Sequence, residues 1–136
     1  MFRGQGPTIA AVAAGGALGA LARYSITIIG GGAGNGFPWH LVVVNTVGCF
    51  LIGVLLVVVN EVLTVHPIVR PFIGTGVLGG FTTFSMFAED TVELVSAGNV
   101  LAAGAYVGFT LVGAFGGVWA AMQITRLLAP RRGSAS

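Results

Sequence analysis

Charged residues are scarce in this chain of 136 residues. They make up 7% of the sequence, as six arginines and four acids without a lysine, whereas a soluble domain carries about 25%. A surface with so few charges cannot be mostly wet, and so few basic residues exclude a nucleic-acid footprint. The one cysteine, Cys49, excludes an internal disulfide. We therefore predict one membrane-embedded domain (1–136).

The sequence also lacks the residue groupings that enzyme chemistry requires. It offers no histidine–carboxylate–nucleophile set, no metal-ligand cluster and no Gly-Lys phosphate-binding motif. His40 stands beside an expected membrane interface, and no other ligand-forming residue is spaced to join it. An enzyme is therefore not expected.

Apolar residues, in contrast, make up 55% of the chain. They form four blocks separated by turns rich in Gly, Pro and Asn, and a membrane-spanning helix needs about 20 such residues. The sequence predicts an all-α integral membrane protein of the cell membrane. Its four transmembrane helices are expected at 8–30, 39–59, 72–96 and 100–128.

Glycines four residues apart predict where these helices pack closely, because small residues let helix backbones approach each other. Three such pairs occur in the first and last blocks: Gly15 with Gly19, Gly104 with Gly108, and Gly113 with Gly117.

The third block does not have the composition of a helix built for stability. Its stretch GGFTTFSMF, residues 79–87, combines two glycines with hydroxyl residues and three aromatic rings. Gly loosens a helix, and Thr and Ser compete for backbone hydrogen bonds. We therefore predict a helix break near 79–83. Phe84 and Phe87 are three residues apart and fall on one helix face beside it.

The polar side chains inside the apolar blocks are neutral hydrogen-bond donors. They are Asn45, Thr46, Thr82, Thr83, Ser85, Tyr106 and Thr110. Such donors favour an anion over a cation, because they replace the hydrogen bonds that an anion loses on leaving water. The positive edges of the Phe84 and Phe87 rings can assist. The alternative is packing, with Asn45 in an interhelical hydrogen bond and the rings facing lipid or core.

Two charged features allow similar alternatives. Arg23 could snorkel to the interface beside Tyr24, or it could place a cation in a water-filled vestibule that attracts anions. The acids Glu89, Asp90 and Glu93 could form a solvated segment, or they could act in a proton relay.

Three stretches together resemble the Fluc/CrcB fluoride-channel family. GGALGALARY (15–24), VNTVGCFLIG (44–53) and GGFTTFSMF (79–87) occur in the order and separation of that family's sequence blocks. The resemblance covers essentially the whole chain. It implies a small four-helix subunit whose third helix is broken. Two subunits would pair as an antiparallel dimer with two pores that exports cytoplasmic fluoride passively.

The resemblance also implies residue roles. Asn45 matches the family's pore asparagine, Phe84 and Phe87 its box phenylalanines, and Arg23 its vestibule arginine. The polar lining would comprise Thr83, Ser85, Tyr106 and Thr110. A structural sodium ion at the dimer interface would be held by the main-chain carbonyls of Gly79 and Thr82. The chain departs from the family at Met86 and Ala114, where a hydroxyl residue is usual.

Arginine distribution bears on the dimer partner. With four spans, both termini and the 61–70 connection lie on one side, which carries Arg3, Arg70, Arg126, Arg131 and Arg132. The opposite side carries Arg23 alone, so the positive-inside rule predicts cytoplasmic termini. This bias favours one orientation. A homodimer and a heterodimer with an oppositely oriented paralogue are therefore both open.

Two other functions suit a four-span chain. A small multidrug-type proton-coupled transporter needs a carboxylate inside its first helix, and the first block has Arg23 and no acid. A non-conducting assembly subunit would explain the glycines but not the clustered hydroxyls. We expect a passive fluoride channel.

Overall fold

The computed structural model describes residues 5–30 and 36–129, and within them every regular element is helical. Arg3, Arg131 and Arg132, which enter the charge-bias argument, lie outside the described residues. Helix α1 spans Gly6–Ile29, with proline in its first turn, where the missing N–H costs no hydrogen bond. Helix α2 spans Trp39–Val57 and continues through one wide, π-type stretch, Val58–Val62.

The third apolar block forms two helices. Helix α3 consists of a π-type stretch, Pro71–Leu78, followed by one α-helical turn, Gly79–Phe81. Residues 82–84 lie outside regular helix, and helix α4 spans Ser85–Ser96. Gly98 then reverses the chain with a φ of +81°, which glycine adopts without strain. Helix α5 spans Val100–Leu128.

Helix α1 packs mainly on α3, while α2 packs on α5. The α1–α3 contact depends on glycine, because a Cβ at Gly15 would lie 2.5 Å from the Phe72 carbonyl oxygen, and one at Gly19 would overlap the Val77 carbonyl. On α5, a Cβ at Gly113 or Gly117 would press on Thr46 of α2. Close packing is thus confirmed at both of these glycine pairs.

The remaining pair, Gly104 and Gly108, behaves differently. A Cβ at either position would meet no atom within 4 Å in the part of the chain that the structure describes. Among the described residues, close packing is therefore not found at this pair.

The outer surface of the helices is apolar. Three helices among the described residues are long and apolar enough to cross a membrane: Gly6–Ile29, Trp39–Val62 and Val100–Leu128. On α5, Leu101 is 89% exposed and Phe115 is 75% exposed. So large an apolar surface is unfavourable in water. The chain is a multi-pass membrane protein.

Gly19→Ala should destabilise the chain by about 1–3 kcal/mol, because the new methyl group must displace the α3 backbone. The matched control is Gly16→Ala on the same helix, where the added Cβ would lie 4.0 Å from the Gly76 carbonyl oxygen. Thermal unfolding in detergent measures both. Equal melting temperatures for the two variants would contradict the α1–α3 contact described above.

Candidate functional site

The candidate site surrounds the interruption between α3 and α4. Thr82 is extended, with φ −77° and ψ 155°, and the chain returns to helical angles at Phe84. Gly79 is itself helical, with φ −65° and ψ −35°. Gly80 serves contact with α1, because a Cβ there would overlap the Gly16 carbonyl. The two glycines therefore precede the interruption and do not form it through their own dihedral angles.

Asn45 of α2 hydrogen-bonds both backbone groups of Thr83. Its Oδ1 accepts the Thr83 N–H at 3.1 Å, and its Nδ2 donates to the Thr83 carbonyl at 3.3 Å. Both residues are buried, where an unpaired backbone group is costly. The packing alternative for Asn45, an interhelical hydrogen bond, is thus present. One Nδ2 hydrogen is used in it, and an amide carries two.

Arg23 of α1 reaches the same segment. Its Nη1 donates to the Thr82 carbonyl oxygen at 3.3 Å, in a partly buried position. The Thr82 hydroxyl donates back to the Leu78 carbonyl at 3.0 Å. The close α1–α3 packing brings the guanidinium to the interruption, so Arg23 contacts the backbone there and does not only snorkel toward an interface.

The hydroxyls of Thr83 and Ser85 lie together at the start of α4. Their oxygen atoms are 3.3 Å apart, and the Thr83 Oγ1 accepts the Met86 N–H at 3.3 Å. The Thr83 hydroxyl therefore satisfies one of the free N–H groups that every helix has at its N-terminus. Ser85 is exposed on the surface of the chain.

Aromatic rings continue from this point along the bundle. The centroids of Phe84 and Phe87 are 5.8 Å apart, and those of Phe87 and Tyr106 are 5.3 Å apart. The ring of Phe37 meets Tyr106 edge-on at 5.8 Å. Phe84, at one end of this series, is 79% exposed, whereas Tyr106 is fully buried. The series thus leads from the open surface of the chain into its core.

Tyr106 and Thr110 differ in their partners. The Tyr106 hydroxyl donates to Asp90 Oδ2 at 3.4 Å. Thr110 lies one turn further along α5 and is buried, and its Oγ1 has no hydrogen-bond partner among the described residues. A buried hydroxyl without a partner is uncommon in folded proteins and calls for an explanation.

Most of the predicted site residues therefore gather around the interruption. Arg23, Asn45, Thr82, Thr83 and Ser85 are linked by hydrogen bonds, and Phe84, Phe87 and Tyr106 by ring contacts. Gly79 lies just before the interruption and is exposed. Thr110 lies one turn from Tyr106 on α5, and its hydroxyl makes no hydrogen bond to the other members of the set.

Two contacts were missed by the sequence analysis. Asp90 was assigned to an acidic segment, although it bonds Tyr106, and Phe37 was not considered. The signal for Asp90 was present, because Asp90 and Tyr106 are equally distant along the chain from the turn residue Gly98. A hairpin of helices places such residues side by side. Phe37 precedes α2 and has no comparable signal.

Comparison with known proteins places this geometry in a family. Residues 10–122 match the family model described as CrcB-like protein, Camphor Resistance (CrcB). The fluoride-specific ion channel FluC 2 of Streptomyces avermitilis is 50% identical over 110 residues, which are 81% of this chain and 70% of that relative. FluC 1 of Streptomyces coelicolor is 46% identical over 125 residues, covering 92% of this chain and 81% of the relative.

A third relative, the fluoride-specific ion channel FluC of Rhodospirillum centenum, is 44% identical over 119 residues, which are 87% of this chain and 94% of its own length. The family-model match, residues 10–122, includes α2, the interruption and most of α5. With a family model over most of its length and relatives of this identity, the chain belongs to the CrcB family.

Proposed function

We propose that this chain is a subunit of a fluoride-selective channel through which cytoplasmic fluoride leaves the cell passively. The relatives named above are fluoride-specific ion channels. The structural observation that carries the proposal is the buried Thr110 hydroxyl, which has no hydrogen-bond partner among the described residues and could donate to a passing anion. It accompanies a group of neutral donors and aromatic rings on the helices around the interruption.

Fluoride would exchange water for these groups in sequence. The second Nδ2 hydrogen of Asn45 and the hydroxyls of Thr83, Ser85 and Thr110 would replace lost hydration. The edges of Phe84 and Phe87, which carry partial positive charge, would face the anion as it passes beside them. Tyr106 would complete the lining, and Arg23 would raise the anion concentration at the entrance. Asn45 and Arg23 also form hydrogen bonds with the backbone of the interruption, and these bonds would hold the two side chains in place.

Helices α3 and α4 would together form the third of four membrane spans. At 1.5 Å per residue, α3 and α4 have a combined length of about 34 Å, against a hydrocarbon core of about 30 Å. Each is too short to cross alone. Asn45 and Arg23 provide hydrogen-bond partners for the backbone between them, as a helix broken inside a membrane requires.

The functional unit would be an antiparallel dimer. Phe84, Ser85 and Gly79 are exposed on one chain, so a second copy could enclose the path that they line. The partner is an identical chain or a paralogue, and relatives numbered FluC 1 and FluC 2 support the existence of paralogues in this family. A dimer also gives the apolar surface at Gly104 and Gly108 a possible neighbour.

A structural sodium ion would be held by the main-chain carbonyls of Gly79 and Thr82 from both copies. The residues present fit such a site, because the Thr83 N–H is turned toward Asn45 and does not occupy the Gly79 carbonyl. Thr82 is extended, so its carbonyl does not take part in the hydrogen bonds of a helix. That carbonyl accepts one hydrogen bond from Arg23 and has a second lone pair. Carbonyl oxygens are ligands that a hard cation prefers. The ion would hold the two interruptions together.

Purified protein in liposomes should release fluoride and retain chloride, and Phe84→Ile should slow fluoride release by about tenfold or more through loss of the ring edge. Efflux is measured with a fluoride electrode. The control is Phe115→Ile, since Phe115 is similarly exposed on α5 and outside the series of rings. Equal release of fluoride and chloride would contradict the proposed fluoride selectivity. An unchanged fluoride efflux rate in Phe84→Ile would show that Phe84 does not line the path.

Thr110→Val should lower the fluoride efflux rate by about tenfold, because a hydrogen bond to an anion is lost while shape is kept. Its melting temperature should not fall, since the hydroxyl has no hydrogen-bond partner in the described part of the chain. Thr27→Val on α1 serves as control, where the lost hydrogen bond is to the Arg23 carbonyl. Normal flux in Thr110→Val would show that the buried hydroxyl does not meet the ion.

Replacing sodium by potassium at constant ionic strength should lower the melting temperature of the dimer. An ion that binds only the folded dimer stabilises it by about 2.7 kcal/mol at a hundredfold excess over Kd. The measurement is thermal unfolding in detergent with the dimer fraction followed by cross-linking, and it needs no flux. Identical curves in the two salts would exclude a sodium site.

A further inference from the structure

The interruption between α3 and α4 coincides with a side chain inserted into the helical hydrogen-bond ladder. In a continuous α-helix the Thr83 N–H would donate to the Gly79 carbonyl, and the Thr83 carbonyl would accept from the Phe87 N–H. Here Asn45 supplies both partners through one amide, at 3.1 and 3.3 Å. Asn45 thus replaces the helical partners of one residue in both directions.

The local sequence supplies one contribution, the Thr83 hydroxyl, which accepts the Met86 N–H at 3.3 Å at the start of α4. Sharp breaks in helices arise at proline, at glycine in unusual conformations, at π-type bulges or where a side chain inserts into the ladder. No proline lies between Pro71 and Pro130. Among the described residues no peptide bond is cis and only Gly98 has positive φ. The π-type stretch of α3 ends at Leu78, and a regular turn follows it. The Thr83 hydroxyl serves the Met86 N–H, whereas the backbone N–H and C=O of Thr83 are taken by the inserted Asn45 side chain.

We infer that Asn45 is a positioning residue that holds the interruption open and thereby sets the direction in which α4 presents Phe84 and Phe87. This action is exerted through the backbone of Thr83 and does not require Asn45 to touch the ion. It also keeps the Gly79 carbonyl free of its helical donor. Burial makes the arrangement effective, because Asn45 and Thr83 are each only 8% exposed and water cannot substitute for the amide.

The test replaces the Thr83 backbone amide by an ester, using the hydroxy-acid analogue of threonine, which removes the N–H that Asn45 accepts. The ester is made in the natural chain and in Asn45→Leu, which has similar volume and no polar atoms. Two quantities are measured: the melting temperature in detergent and the fluoride efflux rate per folded channel. The melting arm is independent of the proposed fluoride function, on which the efflux arm rests.

In the natural chain the ester at position 83 should lower the efflux rate per folded channel by about tenfold. In Asn45→Leu, which is itself slowed, the ester should change the rate by less than about twofold, because the two changes remove the same bond. The melting temperatures should show the same non-additivity. The ester also makes the Thr82 carbonyl a weaker acceptor for the hydrogen bond from Arg23. This effect cancels when the natural chain is compared with Asn45→Leu, because it occurs in both.

Two controls sharpen the result. Asn45→Asp keeps an acceptor oxygen for the Thr83 N–H, so the ester should remain costly there. An ester at Ala88, whose N–H bonds the Phe84 carbonyl at 2.9 Å at the start of α4, should lower the efflux rate and the melting temperature by the same amount in every background. The inference is overturned if the ester at 83 has no effect in the natural chain. It is equally overturned if the ester costs as much in Asn45→Leu, or in Asn45→Ala should the leucine variant not fold.

Discussion

A buried backbone group has no access to water, so a helix that stops in a buried part of a protein must take its hydrogen-bond partners from elsewhere in the protein. The interruption at residues 82–84 meets this requirement with side chains of two other helices. Arg23 of α1 bonds the Thr82 carbonyl, and Asn45 of α2 bonds both groups of Thr83. The packing of α1 and α2 around α3 is therefore a condition for the interruption.

The glycines of α1 and α2 allow the packing on which these hydrogen bonds depend. Gly15 and Gly19 bring the α1 backbone against α3, which is how Arg23 comes within reach of Thr82. On α2, a Cβ at Gly48 would overlap the Thr82 side chain, so a small residue there lets α2 and Asn45 approach. Close packing and polar contact are thus two parts of one arrangement. One side of it is buried in the chain, while Phe84 and Ser85 are exposed.

Composition and spacing were sufficient to predict the helical membrane class and the close packing at Gly15 and Gly19, because both depend on properties of a single segment. The cause of the interruption could not be predicted in this way. The glycines of the third block loosen a helix, yet Gly79 keeps helical angles and the chain departs at Thr82. The residue that accounts for the departure is Asn45, which lies on another helix, and only the tertiary fold brings it there. Asp90 differs in this respect, since its partner Tyr106 lies across a hairpin whose turn at Gly98 can be read from the sequence.

The bonds from Asn45 to the Thr83 backbone have a consequence for how this family varies. A side chain that bonds another side chain can change together with its partner, but every residue type except proline presents the same N–H and C=O. The residue at position 83 can therefore change without loss of the hydrogen bonds from Asn45, provided that the new residue has an N–H and tolerates the backbone angles. Position 45 has no such freedom. The contact that organises the site would thus leave no trace as a pair of covarying positions, and would show only as one position that does not vary.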